Sequence, residues 1–312
     1  MDVFVSDPKR TTAKTKGCPM EGHSVEDMTN KNGFVYPTAG LLGKFINRLV
    51  ACQLLLRFRR ALFSRLPFLT LASDVKNVVY CTWVVAVSDV IHLVPPGVVL
   101  KQRNGSTLFT VLTYAHDHFG PKIAGPLRRI FPSPLQSNWR FYVEALPGDV
   151  PTEKTVLFVK NIFDNPLYAI GTRLFSDALP SHLAERFEHA ALNEQFSTMI
   201  FAGAGSAPDF QCVAETTSER SLPQALAPFF DSWLSAVTFL CLQHGAISQV
   251  EHCARLAYAE IDLPVDIDAV EPLTSLDQPE RGKFLRQIGA TGRPFCFRVP
   301  SVPFSVLSER LL

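Results

Sequence analysis

The 312-residue sequence lacks the patterns that would place a protein directly in a functional class. Its seven cysteines form no Cys-x-x-Cys pair and no short regular spacing, which speaks against a zinc site and against a disulfide framework. No Gly-x-Ser-x-Gly motif is present, and the glycines of FAGAGS at 201–206 do not open a helix after a strand. The sequence therefore predicts neither the nucleophile elbow of an α/β-hydrolase nor a phosphate-binding loop.

Charge imbalance and long apolar runs are also absent. The 30 Lys and Arg residues nearly match the 29 Asp and Glu residues, so the net charge of +1 gives no global electrostatic case for binding nucleic acid. No run approaches the ~20 apolar residues of a membrane span, and the first residues lack the apolar core of a signal peptide. We expect a cytoplasmic protein that needs no cofactor. The oligomeric state is not predicted.

The N-terminal part of the chain contains two contrasting segments. Residues 1–38 are polar and show no sustained period, which is typical of a flexible tail. In the segment 39–72, apolar residues recur every three or four positions between 41 and 66, together with six Lys or Arg residues and no acid. This pattern predicts a basic amphipathic helix at 41–66. Such a helix either packs on the domain with its arginines in water or lies on an anionic membrane surface.

Strand signals dominate residues 73–275, which we interpret as one domain. Segments rich in β-branched and aromatic residues lie at 75–87, 105–120, 137–145, 154–164, 195–204, 209–216 and 254–265. Two helices are predicted, at 167–187 and 221–234. Because helices do not alternate with the strands, we expect an α+β protein with a predominantly antiparallel sheet or barrel. Residues 276–312 begin with a polar, loop-like stretch, and we expect them to form a peripheral tail.

The stretch SNWRFYVE at 137–144 reads as a strand with two unequal faces. Side chains alternate in a strand, so one face carries Trp139, Phe141 and Val143, and the other carries Asn138, Arg140, Tyr142 and Glu144. The polar face is either a wet sheet surface or the wall of a cavity. A guanidinium inside a cavity needs a partner, because an unpaired buried charge costs several kcal/mol. That partner is either a protein carboxylate, such as Asp177 or Glu185, or a ligand carboxylate.

Two groups of histidines are candidates for a chemical site. His116 and His118 flank Asp117 at a predicted strand end. The two imidazoles either share a metal ion or are ordinary polar residues at the edge of a strand. His182, Glu185, Glu188 and His189 lie at helical spacings, which a solvated helix face explains more simply. Two imidazoles do not make a metal site, and no metal site is predicted.

Several stretches together resemble a known superfamily. The segment NVVYCTWVVAVSDVIHLVPPGVVLKQRNGSTLFTVLTYAH at 77–116 is similar to the opening of the acetoacetate decarboxylase superfamily. SNWRFYVE resembles the Asn-x-Arg-x-Tyr-Val strand of an uncharacterised branch, a domain of unknown function. In that branch this strand precedes a segment like 155–185, with a helix carrying an arginine, here Arg173, and then Leu-Pro. The resemblance covers roughly residues 73–275 and implies an antiparallel, cone-like barrel around an apolar cavity.

The same resemblance speaks against decarboxylation. Superfamily members form a Schiff base through the first lysine of a Tyr-Pro-Lys-Lys-Leu turn. Here the turn reads Leu179-Pro180-Ser181-His182-Leu183, so neither matching position is a lysine. Lys160 lies on a different element.

Three functional hypotheses follow from these observations. The first is a small-molecule binding protein in which Arg140 and Tyr142 orient a carboxylate or carbonyl ligand, with Asn138, Glu144 and Arg173 as further ligand-binding candidates. The second is an enzyme without an imine, a hydrolase, lyase or isomerase, in which His182 or Asp177 is the acid or base beside Arg140. The third is a membrane-surface or scaffold protein that acts through the basic segment 41–66.

Overall fold

The computed structural model describes residues 33–63, 65–148, 154–251, 253, 255–277 and 282–312. Strands of the described residues form one sheet and are, in chain order, β1 Leu71–Ala86, β2 Val99–Leu100, β3 Gln102–Arg103, β4 Ser106–Pro121, β5 Leu135–Ala145, β6 Thr155–Phe163, β7 Ser181–Leu183, β8 Arg186–Leu192, β9 Gln195–Phe201, β10 Phe210–Thr216, β11 Gly245–Gln249, β12 Leu256–Asp262, β13 Glu271–Ser275 and β14 Phe295–Leu311. The α-helices are α1 Leu41–Val50, α2 Gln53–Phe63, α3 Val87–Val90, α4 Pro166–Phe175, α5 Trp233–Cys241 and α6 Lys283–Gln287.

Seven of the strands close into a ring. Their order is β1, β4, β5, β6, β11, β12 and β14, and β14 then pairs with β1 again. All these pairings are antiparallel except that between β6 and β11. Closure satisfies the backbone hydrogen bonds of strands that would otherwise be open edges. The predicted α+β architecture with a predominantly antiparallel sheet is confirmed.

The long strand β14 connects the ring to the rest of the sheet. One of its edges pairs with β1 along residues 295–306, while the other pairs first with β13 and then with β12. On this second edge, Pro300 and Pro303 fall between the residues that pair with β13 and those that pair with β12, where the missing backbone donor of proline costs no hydrogen bond to either strand. Beyond β13 the sheet continues through β10, β9 and β8, which we call the side sheet. The expected peripheral tail at 276–312 is therefore wrong, because β14 closes the ring.

The two faces of β5 belong to two separate cores. Trp139 and Phe141 contribute to an outer core between the ring and the side sheet, where Trp139 contacts Phe210 and Phe284. Tyr142 contributes to an inner core inside the ring. Both faces of β5 are buried, so its polar face is not a wet sheet surface.

Helix α5 fills part of the ring interior. Ser232 and Ser235 form a capping box at its N-terminus, each side chain accepting from the other's backbone N–H. Trp233, Val237 and Leu240 then enter the inner core. The predicted helix at 221–234 is displaced, since only its last two residues fall within α5 and a 3-10 turn occupies Gln224–Leu226.

Helix α4 begins at Pro166, and the side chain of Asn165 accepts from the backbone N–H of Leu167. It ends at Phe175, so the prediction of a helix to residue 187 is wrong beyond that point. Residues 181–183 and 186–192 form β7 and β8 instead. His182 and His189 consequently lie on strands rather than on one helix face.

The predicted basic helix at 41–66 is two helices, α1 and α2, separated at Ala51 and Cys52. They lie beside α4, and Phe63 of α2 contacts the ring of Phe175 at 6.0 Å between centroids. We call α1, α2 and α4 the helical layer. The expected tail at 1–38 falls outside the described residues as far as residue 32, and its last part is packed, with Phe34 buried. No helix of the described residues is long and apolar enough to cross a membrane.

Candidate ligand cavity inside the ring

A small cavity lies inside the ring, against the polar face of β5. Its volume is about 30 Å³, and its wall is mostly apolar. The apolar part of the wall consists of Val75, Val78, Leu112, Val156, Phe158, Ile261, Leu263, Val265, Val299, Val302 and Phe304. The polar part consists of Tyr80, Tyr114, Asn138, Arg140 and Gln243. Two of the four residues predicted for the polar face of β5, Asn138 and Arg140, thus line a cavity.

Arg140 is 5% exposed, and no carboxylate of the described residues pairs with it. Its Nη2 donates to the carbonyl of Leu240 at 2.8 Å, in the last turn of α5, where the helix dipole places partial negative charge. Its guanidinium also lies over the rings of Tyr80 and Tyr142, 5.5 Å from each centroid. These contacts orient the side chain, but none supplies a full negative charge.

The tyrosines beside Arg140 are neutral at physiological pH. Burial raises the pKa of Tyr80 well above its usual value and also raises the pKa of Tyr142. Neither phenol therefore neutralises Arg140 as a phenolate near pH 7. The cavity wall therefore holds a positive charge that no anionic side chain of the described residues pairs with.

A hydrogen-bonded chain of neutral side chains runs next to the cavity. His116 Nε2 lies 2.7 Å from Gln136 Oε1, Gln136 Nε2 donates to Asn138 Oδ1 at 2.8 Å, and Asn138 Nδ2 donates to the hydroxyl of Tyr114 at 2.9 Å. Burial lowers the pKa of His116 to about 4, so its imidazole is neutral at pH 7. The chain fixes the amide of Asn138 in the wall.

Three polar atoms of the cavity wall have no hydrogen-bond partner among the described residues. They are Arg140 Nε, Gln243 Oε1 and the hydroxyl of Tyr80, which interacts with Arg140 and with the thiol of Cys241 but makes no hydrogen bond of ordinary geometry. Buried polar atoms are almost always satisfied in folded proteins, because leaving one unpaired costs about 1–3 kcal/mol. Arg140 Nε is a donor, the hydroxyl of Tyr80 is a donor or an acceptor, and Gln243 Oε1 is an acceptor. Together they match a ligand that both accepts and donates hydrogen bonds.

His182 lies on the opposite face of the sheet from Arg140. It pairs with Ile162 of the outer core, which in turn pairs with Ser137, three positions from Arg140. With about 3.3 Å per residue and about 4.8 Å per strand, the two Cα atoms are about 14 Å apart. His182 does not line the cavity, so the structure separates the proposed acid or base from Arg140.

His182 belongs to a second polar cluster with Lys160 and Ser206. Its Nε2 lies 3.3 Å from Lys160 Nζ and its Nδ1 lies 2.7 Å from Ser206 Oγ. Burial, followed by the charges of Lys160 and Arg173, lowers the pKa of His182 well below its usual value. Burial and the charge of Arg173 likewise lower the pKa of Lys160 to about 8. Lys160, His182 and Ser206 thus form a buried polar cluster on the outer face of the sheet, which we call the outer-face cluster.

Asp177 and Arg173 form structural ion pairs in the helical layer. Asp177 accepts from Arg59 at 2.7 Å and from Arg60 at 2.7 Å. Burial would raise the pKa of Asp177, but the hydrogen bonds from Arg60 and Arg59 outweigh it, and the pKa is lowered. Arg173 pairs with Glu251 at 2.5 Å and donates to the carbonyl of Ser181. Neither Asp177 nor Arg173 lines the cavity.

The other two residues of the polar face of β5 have different environments. Tyr142 is fully buried beside Arg140, and its hydroxyl lies 3.0 Å from Thr110 Oγ1. Glu144 is exposed at the end of the strand and lies 3.7 Å from Arg103. Tyr142 therefore supports the wall from behind, whereas the candidate Glu144 lies outside the cavity.

A family model for DUF2071, described as an uncharacterized conserved protein, matches residues 73–242. The match spans more than half of the chain. The chain belongs to the DUF2071 family. No curated protein matches the sequence.

Solved structures show the same fold at low sequence identity. The enduracididine biosynthesis enzyme MppR, complexed with the condensation product of pyruvate and imidazole 4-carboxaldehyde, superposes with a TM-score of 0.50 at 12% identity, covering 78% of the DUF2071 chain and 89% of MppR. MppR with bound HEPES gives 0.50 at 12% identity over 79% and 88%. An acetoacetate decarboxylase-like enzyme from Sphingomonas wittichii RW1 gives 0.48 at 10% identity over 78% and 92%. The DUF2071 match confirms the predicted domain of unknown function, and the MppR structures confirm the predicted fold.

Three polar wall residues of the DUF2071 chain are missing from the sequence-based predictions. Tyr80 sits in the mostly apolar stretch 78–86 of β1, Tyr114 follows Thr113 in β4, and Gln243 follows a helix whose predicted position is displaced. Tyr80 carries a usable signal, since a buried tyrosine in a mostly apolar stretch needs a partner for its hydroxyl. Gln243 carries none, because it enters the wall only through the way α5 packs inside the ring.

Proposed function

We propose that this DUF2071 protein binds a small carboxylate or carbonyl compound in the ring cavity, with Arg140 as the residue that meets its oxygen atoms. The observation that carries the proposal is the buried guanidinium of Arg140, which has no carboxylate partner among the described residues. A buried cation without a counter-charge is costly, and a carboxylate is the ion whose geometry fits the guanidinium fork.

The remaining polar wall atoms extend this recognition. In this proposal the hydroxyl of Tyr80 and the Nε of Arg140 donate to an acceptor of the ligand, and Gln243 Oε1 accepts from its hydroxyl or amine. A 2-hydroxy or 2-amino acid offers both kinds of group within a few atoms. The apolar wall excludes water from the contact and strengthens it.

The volume of the cavity restricts the ligand to a short molecule. A cavity needs about 10–15 Å³ to hold one water, so about 30 Å³ corresponds to two waters or to one carboxyl group. Any longer tail requires wall side chains such as Ile261 or Phe304 to move. Pyruvate belongs in the test panel because MppR, which shares the fold, forms a complex with a condensation product of pyruvate.

The proposal excludes a Schiff base at this cavity. No lysine is part of the cavity wall in the described part of the chain. At the superfamily turn Ser181 donates to the carbonyl of Leu179, and His182 contacts Ser206. Lys160 has a lowered pKa but belongs to the outer-face cluster.

The test is thermal unfolding and calorimetric titration with formate, acetate, pyruvate and lactate, with acetamide as the neutral isostere. We expect at least one acid to raise the melting temperature of the wild type, with acetamide inactive, and Arg140→Met to lose the effect. Arg103→Met, an exposed arginine outside the cavity, is the matched control and should retain it.

Two outcomes would overturn the proposal. Binding of the acid that persists in Arg140→Met would place the site elsewhere, and an absence of binding for all four acids would remove the small-acid class. Reduction with borohydride in the presence of acetoacetate adds an independent check. Mass spectrometry should show no adduct, and a reduced adduct on Lys160 would contradict the exclusion of imine chemistry.

A further inference from the structure

Outside the ring, α1 and α2 expose apolar side chains on the side that faces away from the protein. In α1, Leu41 is 86% exposed and Phe45 63%, whereas Ile46 is buried. In α2, Leu54 is 78% exposed and Phe58 68%. The spacing of four continues to Leu62, so the exposed residues form one apolar stripe along the outside of α2.

The stripe is not the face by which α2 packs. Leu56 and Arg59 are the buried residues of α2, and Arg59 pairs with Asp177. An ordinary surface helix has its apolar residues on the buried side and polar residues outside. Here the outside of α2 is apolar as well, and it lacks a covering element in the described structure.

The apolar stripe extends into neighbouring segments. After α2, Leu66, Phe68 and Leu69 are exposed, and Thr70 accepts from the backbone N–H of Lys122 at 2.8 Å. This contact joins the linker to the 3-10 segment Lys122–Ile130, whose three large apolar residues, Ile123, Leu127 and Ile130, are 86%, 67% and 79% exposed. We call the exposed residues of α1, α2, this linker and this segment the apolar-basic surface.

Charge on the apolar-basic surface has one sign. No acidic residue occurs from 33 to 73 or from 118 to 134 of the sequence. Arg59, Arg60 and Arg128 pair with Asp177 or Asp74 from other parts of the chain. The exposed basic residues that form no ion pair within the described structure are Lys44, Arg48, Arg57, Arg65, Lys122 and Arg129.

We propose that the apolar-basic surface docks the protein on an anionic lipid bilayer, with the leucine and phenylalanine side chains inserted at the headgroup level and the Lys and Arg side chains on lipid phosphates. Large exposed apolar side chains next to unpaired cations are the composition of interfacial helices. Anionic leaflets supply the missing negative charge. A second protein copy fits less well, since it would bring the same unpaired positive charge to the same contact. This docking is independent of ligand binding in the ring.

Co-sedimentation with vesicles tests the docking. We expect the full chain to bind vesicles that contain phosphatidylserine at least about tenfold more strongly than pure phosphatidylcholine vesicles, and salt to weaken the binding. Arg57→Glu with Arg65→Glu should abolish the preference for phosphatidylserine. Leu54→Ser with Phe58→Ser should weaken binding to both kinds of vesicle by about tenfold or more.

The control variant is Leu192→Ser with Phe201→Ser on the side sheet, where the two residues are 71% and 52% exposed. It loses comparable apolar area and should bind like the wild type. Equal loss in the control and in the α2 variant would overturn the proposal, as would absence of binding to phosphatidylserine vesicles. Sedimentation velocity tests whether a second copy of the protein covers the surface instead. If the wild type is a dimer and Leu54→Ser with Phe58→Ser makes it monomeric, the surface is a dimer interface and the proposal is wrong.

Discussion

Arg140 in the ring and Arg59 in the helical layer are buried to nearly the same degree, at 5% and 7% exposure, yet their surroundings differ. Arg59 has the carboxylate of Asp177 at 2.7 Å, which Arg60 also contacts. Arg140 has a backbone carbonyl and two neutral phenol rings. Arg59 of the helical layer therefore has a carboxylate partner within the protein, whereas no carboxylate of the described residues meets the positive charge of Arg140.

Burial of an arginine therefore does not by itself reveal its role. A buried arginine with its own carboxylate is part of the structure, and removing either partner leaves an uncompensated charge. A buried arginine without one contributes little net stability on its own and is free to contribute to binding. The two cases respond differently to substitution, and measuring these responses tests the contrast between the two sites.

The helical layer should respond most strongly to substitution. Asp177→Ala leaves Arg59 buried without a carboxylate, so we expect the free energy of unfolding to fall by about 3–5 kcal/mol. Urea denaturation at pH 7 measures it. Asp117→Ala is the control, since its pair with Lys76 is solvent-exposed and exposed ion pairs contribute little to stability. Similar losses in both variants would show that Asp177 has no special importance.

The next effect is the pH dependence that His116 contributes from the ring interior. Its pKa is about 4 in the folded protein and about 6.5 when unfolded, so below pH 6.5 the unfolded state binds a proton that the folded state refuses. The free energy of unfolding should therefore fall as pH drops from 6.5 to 4, by about 3 kcal/mol for this residue. Above pH 6.5 the contribution is constant.

In His116→Leu, the free energy of unfolding should fall less steeply between pH 6.5 and pH 4, because the proton that His116 binds on unfolding is no longer taken up. Urea denaturation at several pH values measures this slope. Burial also lowers the pKa of His182 and His189, so part of the slope remains in the variant. A slope in His116→Leu that equals the wild type would mean that His116 takes up its proton inside the folded ring.

The weakest response is expected at Arg140 itself. Arg140→Met removes one hydrogen bond and two ring contacts but also removes an uncompensated charge, so we expect the free energy of unfolding to change by less than about 2 kcal/mol without ligand. The measurement is the same urea titration used for Asp177→Ala. A loss as large as that of Asp177→Ala would show that Arg140 has a structural role after all.

The sequence placed Asn138 and Arg140 at the wall of an interior, whereas it predicted the path of the chain poorly. Alternation along SNWRFYVE placed Asn138 and Arg140 on one face, and the resemblance to a cavity-forming fold placed that face inside; both positions follow from local geometry. The same alternation failed at Glu144, because the end of β5 leaves the ring. The local alternation of side chains does not indicate at which residue a strand leaves the protein interior and becomes exposed to solvent.

Other errors arose where distant contacts override local preference. Leu179–Phe187 has helix-compatible spacing, yet β7 and β8 form there because β6 and β9 offer strand partners. The expected tail forms β14 because β1, β12 and β13 all pair with it, which no local pattern records. Asp177 was predicted as a possible partner of Arg140, and this prediction is wrong, because Asp177 pairs with Arg59 and Arg60 of α2 instead.

The closing strand β14 also shapes how the protein folds. Cys81 of β1 and Cys296 of β14 are cross-strand partners separated by 215 residues in sequence. Ring closure must therefore wait until every intervening strand has been synthesised, and until then β1 and β12 each present an open edge. Because such non-local pairing carries a large loop-closure entropy, we expect slow folding and a chaperone-sensitive intermediate whose unpaired strands invite aggregation.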